Sequence, residues 1–82
     1  MSHIDFYGAE WCGDCRRSKR LLDSLNIEYT YHDVSVDDIA AATAQQISGK
    51  QSIPVIAFED GEFFVEPSDP DLKAKLAAVG LI

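Results

Sequence analysis

Trp11-Cys12-Gly13-Asp14-Cys15-Arg16 is the stretch that determines how this chain folds and what chemistry it can carry. It follows a short alternating, β-prone segment at residues 3–7 and precedes a segment whose leucines have helical spacing. Two cysteines separated by two residues, between a strand and a helix, are typical of redox or metal chemistry. Because N–H groups at a helix N-terminus stabilise a thiolate, we expect Cys12 to be the nucleophile. Cys15, one turn further along, is then the resolving thiol.

The residues beside the cysteines bear on the reactivity of Cys12. Trp11 and Gly13 argue against its burial, and we interpret Trp11 as an exposed platform, although a core position also fits the sequence. For Tyr7 we favour the core. Asp14 is an unusual neighbour, because its negative charge opposes a thiolate. Arg16 and Arg17, which follow Cys15, are placed to offset that charge. The sequence leaves open whether the charge of Asp14 or that of the two arginines dominates at Cys12.

The pattern outward from the motif predicts seven elements in the order βαβαββα. Leu25 and Asn26 mark the end of the first helix, Ser35 is a candidate cap for the second, and Asp60-Gly61 is a hairpin signal. The predicted elements are strand 3–7, a helix from residue 12 or 13 to 25, strand 28–33, a helix from the Ser35 cap through Ile47 to Gly49, strand 55–58, strand 63–65, and a helix capped by Ser68 or Asp69 that ends at Gly80. This order predicts an α/β fold, a four-stranded mixed sheet flanked by three helices, in one domain over residues 1–82.

Composition excludes several classes of function. The 82 residues carry a net charge of −7, which argues against nucleic acid as a partner. Four of the seven basic residues lie within residues 16–20, which we interpret as a solvated helix face or a docking surface for an acidic protein. His3 and Asp5 interrupt any leader-like apolar run, and no stretch has the length of a membrane span. We therefore expect a monomer in the cytoplasm, without a membrane partner.

Metal binding is the main alternative from another class of function. Cys12, Cys15, His3 and His32 supply the four ligands that a closed zinc site needs. The predicted order argues against that site, since His3 begins the first strand and Cys12 follows its end. An iron–sulfur cluster shared between two chains is not excluded by the sequence.

The whole chain resembles the glutaredoxins. The resemblance rests on Tyr7, residues 11–16, Ser52-Ile53-Pro54, the Asp60-Gly61 hairpin and the capped last helix. It implies a thioredoxin-like (glutaredoxin) fold and a thiol–disulfide oxidoreductase. It also implies that Pro54 is cis and faces the nucleophile, which would leave the Ile53 backbone to pair with an extended substrate. From the sequence alone, Pro54 is equally compatible with an ordinary strand start.

Within that group the chain is most similar to the mycoredoxins, which use the thiol mycothiol in place of glutathione. The similarity lies in the Trp-Cys-Gly-x-Cys motif, residues 65–68 and residues 71–76. Ala9 stands where glutathione-using members usually have lysine. Glu66 and Pro67 lie in the region where those members have a Gly-Gly pair that receives a carboxylate. The Trp-Ser-Gly-Phe pattern of redoxins linked to thioredoxin reductase is absent there, and Asp14 replaces the usual aromatic residue.

Charge gives a separate reason to expect mycothiol. Glutathione has two carboxylates, which an acidic mouth of Glu10, Asp14 and Glu66 should repel. Mycothiol has none, and its hydroxyls can donate hydrogen bonds to acidic side chains. The predicted substrate-binding residues are Trp11, Gly13, Asp14, Ile53, Pro54, Glu66, Pro67, Ser68 and Asp69.

The predicted function is reduction of mycothiol–protein mixed disulfides. Mycothiol is then a co-substrate, and no metal and no tightly bound cofactor is expected. The predicted partners are disulfide-bearing client proteins and an NADPH-dependent reductase system. The alternative within the class is a dithiol redoxin reduced directly by thioredoxin reductase.

Overall fold

The computed structural model describes residues 3–82, which form seven elements in the predicted order. These are β1 (Ile4–Gly8), α1 (Gly13–Ser24), β2 (Thr30–Asp33), α2 (Asp38–Ser48), β3 (Val55–Phe58), β4 (Phe63–Val65) and α3 (Asp69–Ala78). The prediction of an α/β chain with four strands and three helices is confirmed.

The four strands form one mixed sheet in the order β2-β1-β3-β4. β1 and β2 are parallel, as expected for two strands joined through a helix, and Phe6 is paired with Tyr31. The β1–β3 and β3–β4 pairs are antiparallel. The parallel strands β1 and β2 have their C-terminal ends on the same side of the sheet. The segment that follows β1 begins on that side, and it holds both cysteines.

Alternation along the central strands gives the sheet two buried faces. On one face α1 and α3 pack over the side chains of Ile4, Phe6, Ile56 and Phe58. On the other face α2 contributes two small residues, Ala40 and Ala44, which pack against Tyr7 and Val55. Tyr7 is therefore a core residue, as predicted.

Several boundaries differ from the prediction for local reasons. Gly8 belongs to β1 rather than to a loop, since it is paired with Asp33 of β2. The second strand begins at Thr30, two residues later than expected. α2 is capped by Asp37, not by Ser35, because the Asp37 carboxylate accepts the N–H groups of Ile39 and Ala40 at 3.0 Å.

The helix ends follow their predicted signals. Ser68 is the cap of α3, one of the two predicted candidates, and accepts the Asp71 N–H at 3.2 Å. Asn26 ends α1 in a left-handed conformation (φ 57°), and the Ile27 N–H bonds back to the Leu22 carbonyl at 2.9 Å.

Lys75, in the middle of α3, is buried although it is charged. Its ammonium group donates to Asp60 at 2.6 Å and to Glu62, and it lies 5.2 Å from the centre of the Phe58 ring. These contacts fasten the β3–β4 hairpin to α3. Within residues 3–82, no helix is both long and apolar enough to cross a membrane.

Candidate active site

Cys12 is the N-cap of α1, directly after the turn that leaves β1. Its N–H bonds to the Ala9 carbonyl at 3.2 Å, which closes that turn. Its sulfur accepts the Cys15 backbone N–H at 3.4 Å, in the way that a serine or aspartate side chain caps a helix. The sulfur thus receives one of the unpaired N–H groups of the helix start, where negative charge is favoured.

The two cysteines lie in different environments. Cys12 is partly exposed. Cys15 lies on the buried face of α1, is 2% exposed and packs in the core. Both thiols are free. Burial raises the pKa of the Cys15 thiol to about 12, and the neighbouring Cys12 acts in the same direction. Cys15 is therefore a neutral thiol at pH 7, behind an accessible partner.

Gly8 makes room for the Cys15 side chain. A Cβ atom at this position would lie 3.0 Å from the Cys15 sulfur and 2.8 Å from Cε1 of Phe6. The sequence prediction missed this role because it ended the first strand at Tyr7, one residue before Gly8. The available signal was a glycine in the β-prone stretch four residues before the first cysteine.

The Ile53–Pro54 peptide is cis, as the resemblance implies, and lies next to Cys12. The Cys12 thiol is 4.0 Å from the Ile53 carbonyl oxygen, so residues 41 positions apart meet at the sulfur. Pro54 itself is buried, and its carbonyl accepts the Glu66 N–H at 3.0 Å. This bond joins the segment before β3 to the segment after β4.

Trp11 and Gly13 flank the accessible cysteine. The Trp11 side chain is 71% exposed, which agrees with the platform interpretation and excludes the core alternative. Gly13 is exposed, with open space around the position of a side chain. Both residues leave the approach to Cys12 open.

Residues 66–69, which we call the α3 entry segment, form the far side of the site. Glu66 has a left-handed backbone (φ 50°) and an exposed side chain, while Pro67 is buried. Oδ1 of Asp69 is buried without a hydrogen bond from residues 3–82. Arg17 of α1 reaches across and donates to the Pro67 carbonyl at 3.2 Å. The structure thus brings the predicted residues 66–69 to the helix that carries the cysteines.

The charges at the mouth differ from the expectation in one respect. Glu10 is paired with Lys19 at 3.1 Å, and Asp14 is paired with Arg17 at 3.0 Å. Among residues 3–82, Glu66 is the member of the predicted acidic mouth that has no ion pair. Glu10 and Asp14 therefore each have a cation beside them, which the predicted acidic mouth did not include.

A cavity of about 220 Å³ lies against α2 and is lined in part by Ile53, whose carbonyl oxygen is 4.0 Å from the Cys12 sulfur. Its lining is part apolar and part polar, and it includes one charged side chain, Lys50. The lining residues are Val34, Ala41, Ala44, Gln45, Lys50, Gln51, Ser52 and Ile53.

The four proposed metal ligands do not come together. His3 and His32 both contact Oδ1 of Asp5, at 3.2 and 2.9 Å, and His32 stacks on Tyr7 with a ring distance of 4.5 Å. Within the described part of the chain, no three His, Cys, Asp or Glu side chains are grouped to hold a metal ion. The single-chain zinc site is not formed by these residues.

Comparison with known proteins agrees with this geometry. The family model described as Glutaredoxin matches residues 4–64. A Mycobacterium tuberculosis protein named as glutaredoxin Rv3198A is 31% identical over 77 residues, covering 93% of this chain and 92% of its own. The solved glutaredoxin of Archaeoglobus fulgidus is 20% identical with a TM-score of 0.77, covering 90% of this chain and 85% of its own. A solved mutant of the thioredoxin-like protein BC3987 is 26% identical with a TM-score of 0.81, covering 90% and 94%.

The fold is therefore thioredoxin-like, and the two cysteines occupy the start of α1 next to a cis proline. The matched family is one of thiol redox proteins, and its match spans both cysteines and Pro54. The chain belongs to the glutaredoxin family.

Proposed function

We propose that this protein reduces mixed disulfides between mycothiol and client proteins, with Cys12 as the nucleophile. The observation that carries the proposal is the contrast between the two thiols. Cys12 is accessible at the N-terminus of α1, and Cys15 is buried one turn behind it with a raised pKa. An accessible sulfur that receives a helix N–H group suits attack on a disulfide.

The exchange proceeds in balanced steps. The Cys12 thiolate attacks the mycothiol sulfur of the mixed disulfide, forms a Cys12–mycothiol disulfide and releases the client as a thiolate. A second mycothiol thiolate then attacks the mycothiol sulfur of this adduct, which gives mycothiol disulfide and restores the Cys12 thiolate. NADPH supplies two electrons, through a separate reductase, to return mycothiol disulfide to two thiols.

The α3 entry segment supports a thiol without carboxylates. Pro67 has no N–H, and the Glu66 N–H is already bonded to the Pro54 carbonyl. Glu66 and Pro67, which lie in the region where glutathione-using members have a Gly-Gly pair, therefore offer no free backbone donor to a carboxylate. The unpaired, exposed Glu66 side chain adds repulsion of an anion.

The remaining predicted contacts suit a neutral sugar–inositol head. Trp11 offers an exposed face for stacking, and Gly13 leaves room in front of the sulfur. The amides of Gln45 and Gln51 in the neighbouring cavity both donate and accept hydrogen bonds. Carboxylate and hydroxyl oxygens at Asp69 and Ser68 provide further acceptors. We place the protein in the cytoplasm, where mycothiol and NADPH are found.

The deciding experiment is NADPH oxidation in three parallel reactions. The first contains a mycothiol mixed disulfide with mycothiol and its disulfide reductase, and the second contains the matched glutathione components. The third supplies thioredoxin reductase alone with a disulfide substrate. Turnover confined to the first reaction is expected, and turnover only in the second would refute the choice of thiol.

A second candidate is a dithiol redoxin that thioredoxin reductase reduces. It is favoured by the closeness of the two cysteines, since the Cys15 amide is 3.4 Å from the Cys12 sulfur within one turn. In this route Cys15 attacks the Cys12 sulfur of the adduct, expels the bound thiol and closes a Cys12–Cys15 disulfide. Turnover only with thioredoxin reductase would select this route.

A further inference from the structure

Arg17 connects the cysteine motif with the α3 entry segment, residues 66–69. Each of its three guanidinium nitrogens faces a different oxygen. Nη1 donates to Oδ1 of Asp14 at 3.0 Å, Nη2 donates to the Pro67 carbonyl at 3.2 Å, and Nε lies 3.8 Å from Oδ1 of Asp69. The planar guanidinium can serve three oxygens at once, which a lysine ammonium on a flexible stem cannot do in the same geometry.

The contact with Asp14 bears on the charge beside Cys12. Asp14 lies in the first turn of α1, where a carboxylate favours the helix. The same carboxylate opposes a second negative charge on a nearby sulfur. An arginine paired with Asp14 reduces that conflict, because its positive charge offsets the carboxylate.

The contacts with Pro67 and Asp69 bear on the shape of the site. The α3 entry segment contains the left-handed residue Glu66, and its Pro67 carbonyl faces α1. Oδ1 of Asp69 is buried and has no hydrogen bond from residues 3–82, and the Arg17 guanidinium is the cation that lies beside it, at 3.8 Å. Without Arg17, this segment would lose its polar link to α1.

We propose that Arg17 is a positioning residue for thiol exchange, which cancels the Asp14 charge beside Cys12 and holds the α3 entry segment against α1. The second part rests on the proposed function, since it assumes that residues 66–69 contact the thiol substrate. The first part concerns Cys12 alone and does not depend on the identity of the substrate.

Other charged or titratable groups on the elements around Cys12 stay constant in the test. They are Glu10 in the turn before it, Cys15 and Arg16 on its own helix, Glu66 and Asp69 on the α3 entry segment, Tyr31 on β2, and Lys50 in the loop before Ile53. A comparison of variants at Arg17 and Asp14 isolates the contribution of that pair.

The test of the first part is the rate of iodoacetamide alkylation of reduced Cys12 as a function of pH. We expect Arg17→Gln to move the midpoint of the profile upward by about 0.5–1 pH unit, because Asp14 is left unpaired. Asp14→Asn should move it downward, and the double variant should return close to the unmodified protein. Arg20→Gln removes the same charge one turn along α1 and serves as the matched control, with no shift expected.

The test of the second part is steady-state kinetics with whichever mixed disulfide the protein turns over. Arg17→Lys keeps the positive charge but loses the planar guanidinium that reaches three oxygens. The alkylation profile should therefore stay in place, while KM rises about 2–10-fold with kcat little changed. Arg20→Gln should leave KM unchanged.

Two results would overturn the proposal. Arg17→Gln could behave as Arg20→Gln does in both measurements, or the Asp14→Asn change could fail to reverse the shift caused by Arg17→Gln. If Arg17→Gln does not fold, Asp14→Asn tests the first part through the downward shift of the alkylation profile. Arg17→Lys then tests the second part through the rise in KM. Failure of the unmodified protein on mycothiol substrates would refute only the proposed function, because alkylation needs no disulfide substrate.

Discussion

The backbone amide of Cys15 lies 3.4 Å from the sulfur of Cys12, while the Cys15 thiol is buried in the core. The amide and the thiol of Cys15 therefore have different surroundings. Its N–H group donates to the Cys12 sulfur at the start of α1, whereas its thiol lies in the core, where burial raises its pKa to about 12. This difference arises within a single helical turn that begins at the surface and enters the core.

The first prediction concerns selective alkylation of the reduced protein. Burial raises the pKa of the Cys15 thiol to about 12, so we expect a thiol reagent at pH 7 to modify Cys12 alone. Mass spectrometry of the intact protein and of its peptides should find one adduct, on Cys12. Modification of Cys15 at a comparable rate in the native state would contradict the assignment, and both cysteines should react in urea as the control.

The second prediction separates the two cysteines by function. Cys12→Ser should abolish turnover, because no other accessible thiol is present. Cys15→Ser should keep activity on mycothiol mixed disulfides, since the second mycothiol resolves the adduct, and should lose activity with thioredoxin reductase. Coupled NADPH assays measure both. Activity that survives Cys12→Ser would overturn the role of that residue, whereas complete loss in Cys15→Ser would favour the dithiol route.

The elements of the fold were predictable because their signals are local. Gly49, Asp60-Gly61 and Ser68 each act on the few residues around them, and the turns and caps formed at those positions. The cysteine motif likewise carries its own helix start. Ser35 failed as a cap because Asp37, two residues later, provides a carboxylate to the same helix.

The features that the sequence did not reveal depend on residues far apart in the chain. Arg17 reaches a carbonyl 50 positions away, and Gly8 is constrained by the sulfur of Cys15 on another element. The predicted acidic mouth assumed free carboxylates at Glu10 and Asp14, but pairing of surface side chains is set by rotamers and neighbours. Periodicity and spacing carry no information about such contacts.

The third prediction concerns Lys75, which links α3 to the β3–β4 hairpin. Hydrogen bonding to Lys75 lowers the pKa of Asp60 below its ordinary value of 3.8. The stability from this pair is therefore complete above that ordinary value and is lost as the pH falls through the lowered one. Lys75→Met keeps the apolar stem over Phe58 but leaves Asp60 and Glu62 unpaired, so it should lower the urea midpoint at pH 7.

The same variant should differ less from the unmodified protein at about pH 2–3, because the contribution of the Asp60–Lys75 pair is lost as the pH falls through the lowered pKa of Asp60. Lys73→Met, at an exposed position of the same helix, is the matched control and should have little effect at either pH. Urea unfolding followed by circular dichroism measures the four midpoints. A gap that stays constant between the two pH values would show that the ion pairs contribute nothing.

The fourth prediction concerns Gly8, the glycine against which the Cys15 side chain packs. A methyl group there would approach the Cys15 sulfur to 3.0 Å and Cε1 of Phe6 to 2.8 Å, so Gly8→Ala must displace one of two core side chains. Overpacking of this kind typically costs about 1–3 kcal/mol of unfolding free energy. Because the Cys15 sulfur is one of the two groups that the methyl group would crowd, closure of the Cys12–Cys15 disulfide should also become less favourable.

Gly13→Ala is the matched control for that change, since nothing lies within 4 Å of a Cβ atom at Gly13 and the residue begins a helix that alanine favours. Urea unfolding of both variants in the reduced state measures stability. Titration with oxidised and reduced dithiothreitol then measures closure of the disulfide. Equal stability of the two alanine variants would mean that the core near Cys15 can absorb a methyl group. In that event the close approach at Gly8 would not explain why a glycine is needed there.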